Sequence, residues 1–137
     1  MAIFPQPIIS PSPDAVEFWE SAREQRLILP FCNACQAHFF YPRSGCPSCG
    51  SRDIAWVQAS GRGEIYSYCI HYSTSIPELR NAVPFVTALV TLEEGPRMMT
   101  CLVDVEPEPM AVHCGMAVEV TFVKSTNGFM VPMFRPT

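Results

Sequence analysis

The sequence predicts a mainly β protein: an N-terminal helix, a zinc ribbon built on four cysteines, and a small closed or nearly closed barrel. Three observations predict it. Two Cys-x-x-Cys pairs, Cys32/Cys35 and Cys46/Cys49, are separated by ten residues. From Ile54 onward, short runs rich in Val, Ile, Tyr, Phe and Thr alternate with Gly, Pro and Asn breaks, the texture of successive strands. Ahead of the cysteines, one stretch carries helix-start signals and a narrow apolar stripe.

The helix is expected over residues 13–28. Ser12 can cap it, Pro13 suits its first position, and Asp14 and Glu17 favour the positive end of its dipole. Phe18, Trp19 and Ala22 fall on one side, so the helix should lie on a surface, as a brace or as an interface helix anchored by Trp19. Residues 1–12 carry Pro5, Pro7 and Pro11, which favour an extended arm. Ile3, Phe4, Ile8 and Ile9 suggest that the arm packs on something.

Candidate strands are 54–59, 63–73, 84–92, 97–104, 117–124 and 128–134. Val118, Val120 and Phe122 alternate with Glu119 and Thr121, the two-residue period of a half-buried strand. Five or six short strands suggest a barrel, because closing a sheet removes its edges. The division expected is arm and helix 1–30, ribbon 31–53, barrel 54–137.

The chain has 137 residues, 48% of them hydrophobic and 16% charged, which is a globular balance. Thirteen Asp and Glu outnumber nine Lys and Arg, giving a formal net charge of −4. A nucleic-acid partner usually needs a basic face, and Lys124 is the one lysine, so such a partner is disfavoured. The N-terminus lacks a basic start and a long apolar run, so no secretory signal is expected. No stretch approaches the roughly 18 apolar residues of a membrane span. A cytoplasmic protein is expected.

Seven cysteines is an odd number, and four of them are paired. That pattern reads as metal binding plus free thiols, and not as a disulfide framework. Zinc takes four borderline or soft ligands in a tetrahedron, and each Cys-x-x-Cys turn supplies half of it. Four thiolates leave no open position for water or substrate, so Cys32, Cys35, Cys46 and Cys49 should hold a structural zinc. Iron in a rubredoxin-like redox site is the alternative, since it uses the same turns.

Other candidates carry less. Cys69, Cys101 and Cys114 fall in or beside strands, where cysteine acts as a small hydrophobe. His71 follows Cys69 by two residues and His113 adjoins Cys114, but neither spacing is a nucleophile–base signature. No catalytic residue is assigned. Gly61-Arg62-Gly63 is too short for a phosphate loop, although Arg62 and Arg43 suit bidentate contact with a phosphate.

A resemblance adds to this reading. It is carried by Leu27-Ile28-Leu29-Pro30-Phe31-Cys32, by Phe40-Tyr41-Pro42-Arg43, and by Cys46-Pro47-Ser48-Cys49-Gly50-Ser51. Trp56, the Ser60-Gly61-Arg62-Gly63-Glu64-Ile65-Tyr66-Ser67 run, Pro84-Phe85, Glu94-Gly95 and the closing Pro132-Met133-Phe134-Arg135-Pro136 complete it. Over about residues 14–136 the chain resembles the zinc ribbon plus OB-fold family associated with acyl-CoA metabolism, long catalogued as a domain of unknown function. One departure is Gln36, where many members have Gly after the first Cys-x-x-Cys. The resemblance implies a rubredoxin-like zinc ribbon followed by an OB-fold barrel. It also implies a non-catalytic accessory subunit of a thiolase-like enzyme, or of an acyl-CoA hydratase or aldolase, with acyl-CoA at the shared interface. Phe40, Tyr41, Arg43 and Arg62 are the residues expected to meet CoA. A nucleic-acid-binding ribbon and barrel, and a rubredoxin-like electron carrier, are the competing readings; fold alone does not separate the three.

Overall fold

The computed structural model describes residues 9–137. Ile3, Phe4 and Ile8 of the expected arm lie outside the described residues. A single 3-10 turn, Pro13–Ala15, leads into helix α1, Val16–Arg23. The helix ends earlier than its sequence pattern suggests. Arg26 N–H reaches back to Ser21 O and Gln25 N–H to Ala22 O, with Gln25 in the left-handed region at φ 61°. This paired closure satisfies the last carbonyls of the helix. It also frees Leu27-Ile28-Leu29, an apolar β-favouring run, to enter a sheet instead.

That sheet is the ribbon's. Strand β1, Ile28–Cys32, sits between the two-residue β2, Ala37–His38, and β3, Ile54–Gln58, both antiparallel to it. The 54–59 run therefore forms the expected strand but pairs with β1 in the ribbon sheet, not with a barrel strand.

The remaining strands are β4 Arg62–His71, β5 Phe85–Leu92, β6 Arg97–Leu102, β7 Ala117–Lys124 and β8 Met130–Pro136. They close into a five-stranded barrel in the order β4-β5-β6-β8-β7, with β7 returning to β4. This is OB-fold topology. Strands β6 and β8 run parallel and meet at Leu102 and Phe134; the other pairs are antiparallel. Alternation is clearest in β5, where Val86, Ala88, Val90 and Leu92 point inward. A bulge between Ile65 and Ser67 turns Tyr66 outward on β4.

One core unites the three parts. Phe18 and Ala22 of α1, and Leu27 and Leu29 at the base of the ribbon, join Ile65, Val90, Val118 and Phe134 of the barrel in a single buried cluster. Burying a side chain such as Leu29 or Phe18 contributes about 1.5–3 kcal/mol. The tip of the ribbon has a separate and much smaller cluster of Cys32, Phe39 and Cys46, with Ile54 packed against it.

Candidate functional site: a four-cysteine centre beside an aromatic cleft

The cysteine centre is built from two turns. The first follows β1: Gln36 N–H bonds Cys32 O at 2.8 Å, and Cys35 N–H points at Cys32 Sγ at 3.5 Å. In the second, Gly50 N–H bonds Cys46 O at 2.9 Å and Ser48 N–H points at Cys46 Sγ at 3.4 Å. Gly50 takes φ 78°, the conformation its lack of a Cβ permits. Gln36 holds φ 57° without that freedom, and its amide anchors to Asn33 O at 2.7 Å. The departure noted in the sequence thus falls at a left-handed position. Asn33 N–H to Asp53 O, with Asn33 Nδ2 to Asp53 Oδ1 at 3.1 Å, closes the base of the loop.

These turns bring all four Sγ atoms within 4.8 Å of one another. Cys32–Cys49 and Cys35–Cys46 lie at 3.6 Å. A tetrahedron with zinc–sulfur bonds of about 2.3 Å has edges of about 3.8 Å, so the donor set fits a thiolate-bound metal ion. The electrostatics agree. Hydrogen bonds from the side chains of Cys32 and Cys46 push the Cys35 thiol up to about 12. The Cys49 and Ser48 backbone N–H groups hold the Cys46 thiol down to about 6. Four crowded sulfurs do not all ionise without a cation among them, and a dication supplies that charge.

Beside this centre lies a cleft of about 400 Å³. Its walls come from five segments: Ile9–Ser12, helix α1, the ribbon loop Phe40–Pro42, strand β6 and strand β8. Phe18 and Phe40 rings meet at 5.6 Å, Phe40 and Tyr41 at 4.5 Å, and Trp19 stands edge-on to Phe129 at 5.6 Å. Asn127 Nδ2 donates to Ile9 O at 3.2 Å and holds the N-terminal wall against the barrel. The described lining contains no charged side chain.

Two of the four residues expected to meet CoA, Phe40 and Tyr41, line this cleft. Arg43 is exposed just past it in sequence. Arg62 lies elsewhere. It lines a separate shallow depression with Glu64 and Glu93, and its Nε donates to Glu93 Oε2 at 3.1 Å. Glu93 and Glu94, read from sequence as a solvated hairpin end, grip the Ser60–Arg62 turn: Ser60 N–H donates to Glu94 Oε2 at 2.7 Å. The Arg62 hydrogen bond, then that of Ser60, holds the Glu93 carboxyl below its ordinary range. Met98 and Met99 belong to the cleft and were not singled out by the sequence; their side chains diverge from one strand, which only the barrel's geometry reveals.

The scattered thiols stay apart from this site. Burial pushes the Cys101 thiol up to about 11. His71 Nε2 lies 2.8 Å from Thr87 Oγ1, and its ring stacks on Phe85 at 4.7 Å. Cys69 Sγ reaches only the carbonyl of Ile70, at 4.0 Å. No helix among the described residues is long and apolar enough to cross a membrane.

Comparison with known proteins agrees with this architecture. Residues 19–55 match the family model described as ChsH2, rubredoxin-like zinc ribbon domain, and residues 56–123 match that of the ChsH2 C-terminal OB-fold domain. The chain is 35% identical over 135 residues to a probable enoyl-CoA hydratase alpha subunit of Thermomonospora curvata, covering 98% of this chain and 40% of that subunit. It therefore spans well under half the length of that relative. It is 35% identical over 94 residues to a DUF35 domain-containing scaffold protein of Methanothermobacter thermautotrophicus, covering 68% of each. Among solved structures it resembles a chain of the Ltp2-ChsH2(DUF35) aldolase, with a TM-score of 0.81 and 34% identity, covering 96% of this chain and 98% of that one. The chain belongs to the ChsH2/DUF35 family.

Proposed function

We propose that this chain is a non-catalytic accessory subunit of an acyl-CoA-processing complex, with zinc at its four cysteines and an acyl-CoA-facing cleft at its junction. The observation that carries the reading is the uncharged aromatic cleft, walled jointly by ribbon loop, helix and barrel, in a chain of this family. Relatives named as a hydratase alpha subunit and as part of an aldolase support a catalytic partner of that kind. A thiolase or acyltransferase is the partner class the sequence resemblance favours. Cys32, Cys35, Cys46 and Cys49 hold the zinc, which supplies structure and no open coordination position. Phe40 and Tyr41 face the acyl or pantetheine portion. Arg43 and Arg62 remain candidates for the phosphates.

The test is purification from the source cell with the partner attached, followed by assay of the separated and recombined chains. The expected result is a thiolase, hydratase or aldolase subunit identified by mass spectrometry, with acyl-CoA turnover by the complex and none by this chain alone. Robust turnover by the isolated chain sinks the proposal.

A further inference from the structure

We infer that an acyl-phosphopantetheine thioester seated in the cleft runs out along a track over the barrel's outer face: Met99 underlies the pantetheine arm, and Arg97, braced on Tyr66, receives the phosphate. The inference rests on the acyl-CoA reading and deepens it, by assigning the phosphate to a residue outside the set drawn from sequence.

Strand β6 divides its side chains cleanly. Met98, Thr100 and Leu102 are buried, while Arg97 and Met99 point outward. Met99 is 55% exposed although it lines the cleft. Met99 stands opposite Leu89 and Arg97 opposite Thr91, so both side chains share that outer face. Two residues along a strand advance it by about 6.8 Å.

Arg97 stands one outward row along β6 from Met99, beyond the lining of the cleft. Its Cζ lies 3.7 Å from the centroid of the Tyr66 ring, and its Nε donates to Thr91 Oγ1 at 3.2 Å. The cation–π contact and this single hydrogen bond fix the plane of the guanidinium and leave both Nη groups for a forked contact with phosphate oxygens. Among the described residues no carboxylate forms an ion pair with it. Glu64, in the same cross-strand row, stands two strands away across Thr91. Arg62 differs on both counts, being paired with Glu93 and set in another depression. An uncharged aromatic cleft, an exposed thioether and an unpaired arginine follow in order. That order matches an acyl group, an uncharged arm and a phosphate. The same chemistry is offered by free CoA and by the prosthetic arm of an acyl carrier protein.

Calorimetry on the full chain tests this with octanoyl-CoA, with S-octanoyl-pantetheine, which lacks phosphate, and with octanoyl-loaded acyl carrier protein. Arg97→Gln should weaken the octanoyl-CoA or carrier-protein complex by about tenfold, the loss of one charge-assisted contact, and leave S-octanoyl-pantetheine unchanged. Met99→Glu should weaken all three. Both side chains are exposed, so circular dichroism should show unaltered folds. Tighter binding of CoA than of carrier protein, or the reverse, names the source. Equal octanoyl-CoA affinity in wild type and Arg97→Gln overturns the track. So does failure of the isolated chain to bind either phosphate-bearing thioester, because the track lies wholly within this chain. Neither result touches the subunit proposal, which stands or falls on co-purification and turnover.

Discussion

Chelating the metal should melt the tip of the ribbon and leave the barrel standing. The tip buries little: its cluster is Cys32, Phe39 and Cys46, with Ile54 against them, and two of these four are metal ligands. Burial of Phe39 and partial burial of Ile54 supply about 2–5 kcal/mol. Ordering the backbone of about twenty residues between the strands costs on the order of 20 kcal/mol. Structural zinc in small peptides contributes about 10–16 kcal/mol, which brings the two sides close to balance. Without it the tip keeps only its turn hydrogen bonds and the Asn33–Asp53 pairing, which do not offset that cost. The base of the ribbon is different, because Leu27, Leu29 and Ala59 belong to the barrel's core. Hydrogen exchange read by NMR, before and after treatment with a strong chelator, separates the two. The amides of Gln36, Phe39, Cys46 and Gly50, each hydrogen-bonded in the native loop, should lose nearly all protection. Those of Ile65, Val90 and Val118 should keep theirs. Loss of protection through the whole chain, or none in the loop, would refute the reasoning. Acidification should act in the same sense as chelation, since protons and a metal ion compete for the same sulfurs and occupancy falls as pH falls.

Two further predictions concern the barrel. A Cβ at Gly63 would lie 2.5 Å from Thr91 O and 2.8 Å from Val90 Cγ1, against backbone that cannot step aside. Gly63→Ala should therefore cost about 2–3 kcal/mol and lower Tm by roughly 6–12 °C in a thermal melt, with metal content unchanged; a Tm within experimental error of wild type would contradict the steric account. Glu93 has a depressed carboxyl pKa in the folded state, so its contribution is present above the ordinary carboxylate value and lost as pH falls through the lower folded one. Glu93→Gln should flatten the acid side of the Tm–pH curve slightly, because the Arg62 pair is exposed. Identical acid limbs for the two proteins would dismiss that pair as a contributor.

The four-cysteine cluster and the barrel strands were legible in the sequence because each rests on local pattern. Cys-x-x-Cys spacing fixes ligand geometry within a turn. Alternation such as Val118, Val120 and Phe122 against Glu119 and Thr121 fixes a strand within a few residues. What local pattern does not carry is partnership. Ile54–Gln58 reads equally well as a barrel strand, and only its match to Ile28–Cys32 places it in the ribbon. The helix end was hidden for a similar reason. Nothing about Gln25 announces a left-handed residue, but β1 must begin at Ile28 to pair with Gln58 of β3. The cleft is a further step removed. Its lining runs from Ile9 to Pro132, and Met99 gains its meaning from Leu89 opposite it on β5.

That long-range assembly bears on why a metal ribbon is joined to the barrel at all. Phe40 and Tyr41 lie in the segment between Cys35 and Cys46, so the two halves of the metal centre clamp this wall of the cleft from both sides. The opposite wall, Met98, Met99, Val131 and Pro132, is rigid barrel. Four thiolates would leave a bound metal ion no open position, and that closed coordination suits it to this role. An ion with an open position exchanges ligands, whereas four thiolates hold one loop in one place. The helix completes the arrangement from the third side: Phe18 touches Phe40 across the cleft, and Trp19 locks α1 onto Phe129. A surface that must present aromatic side chains at fixed spacing, in a loop too short to have a core of its own, has few other ways to keep them still. On the function proposed above, a metal ion held by the four cysteines would contribute by position, fixing Phe40 and Tyr41 in the wall of the cleft.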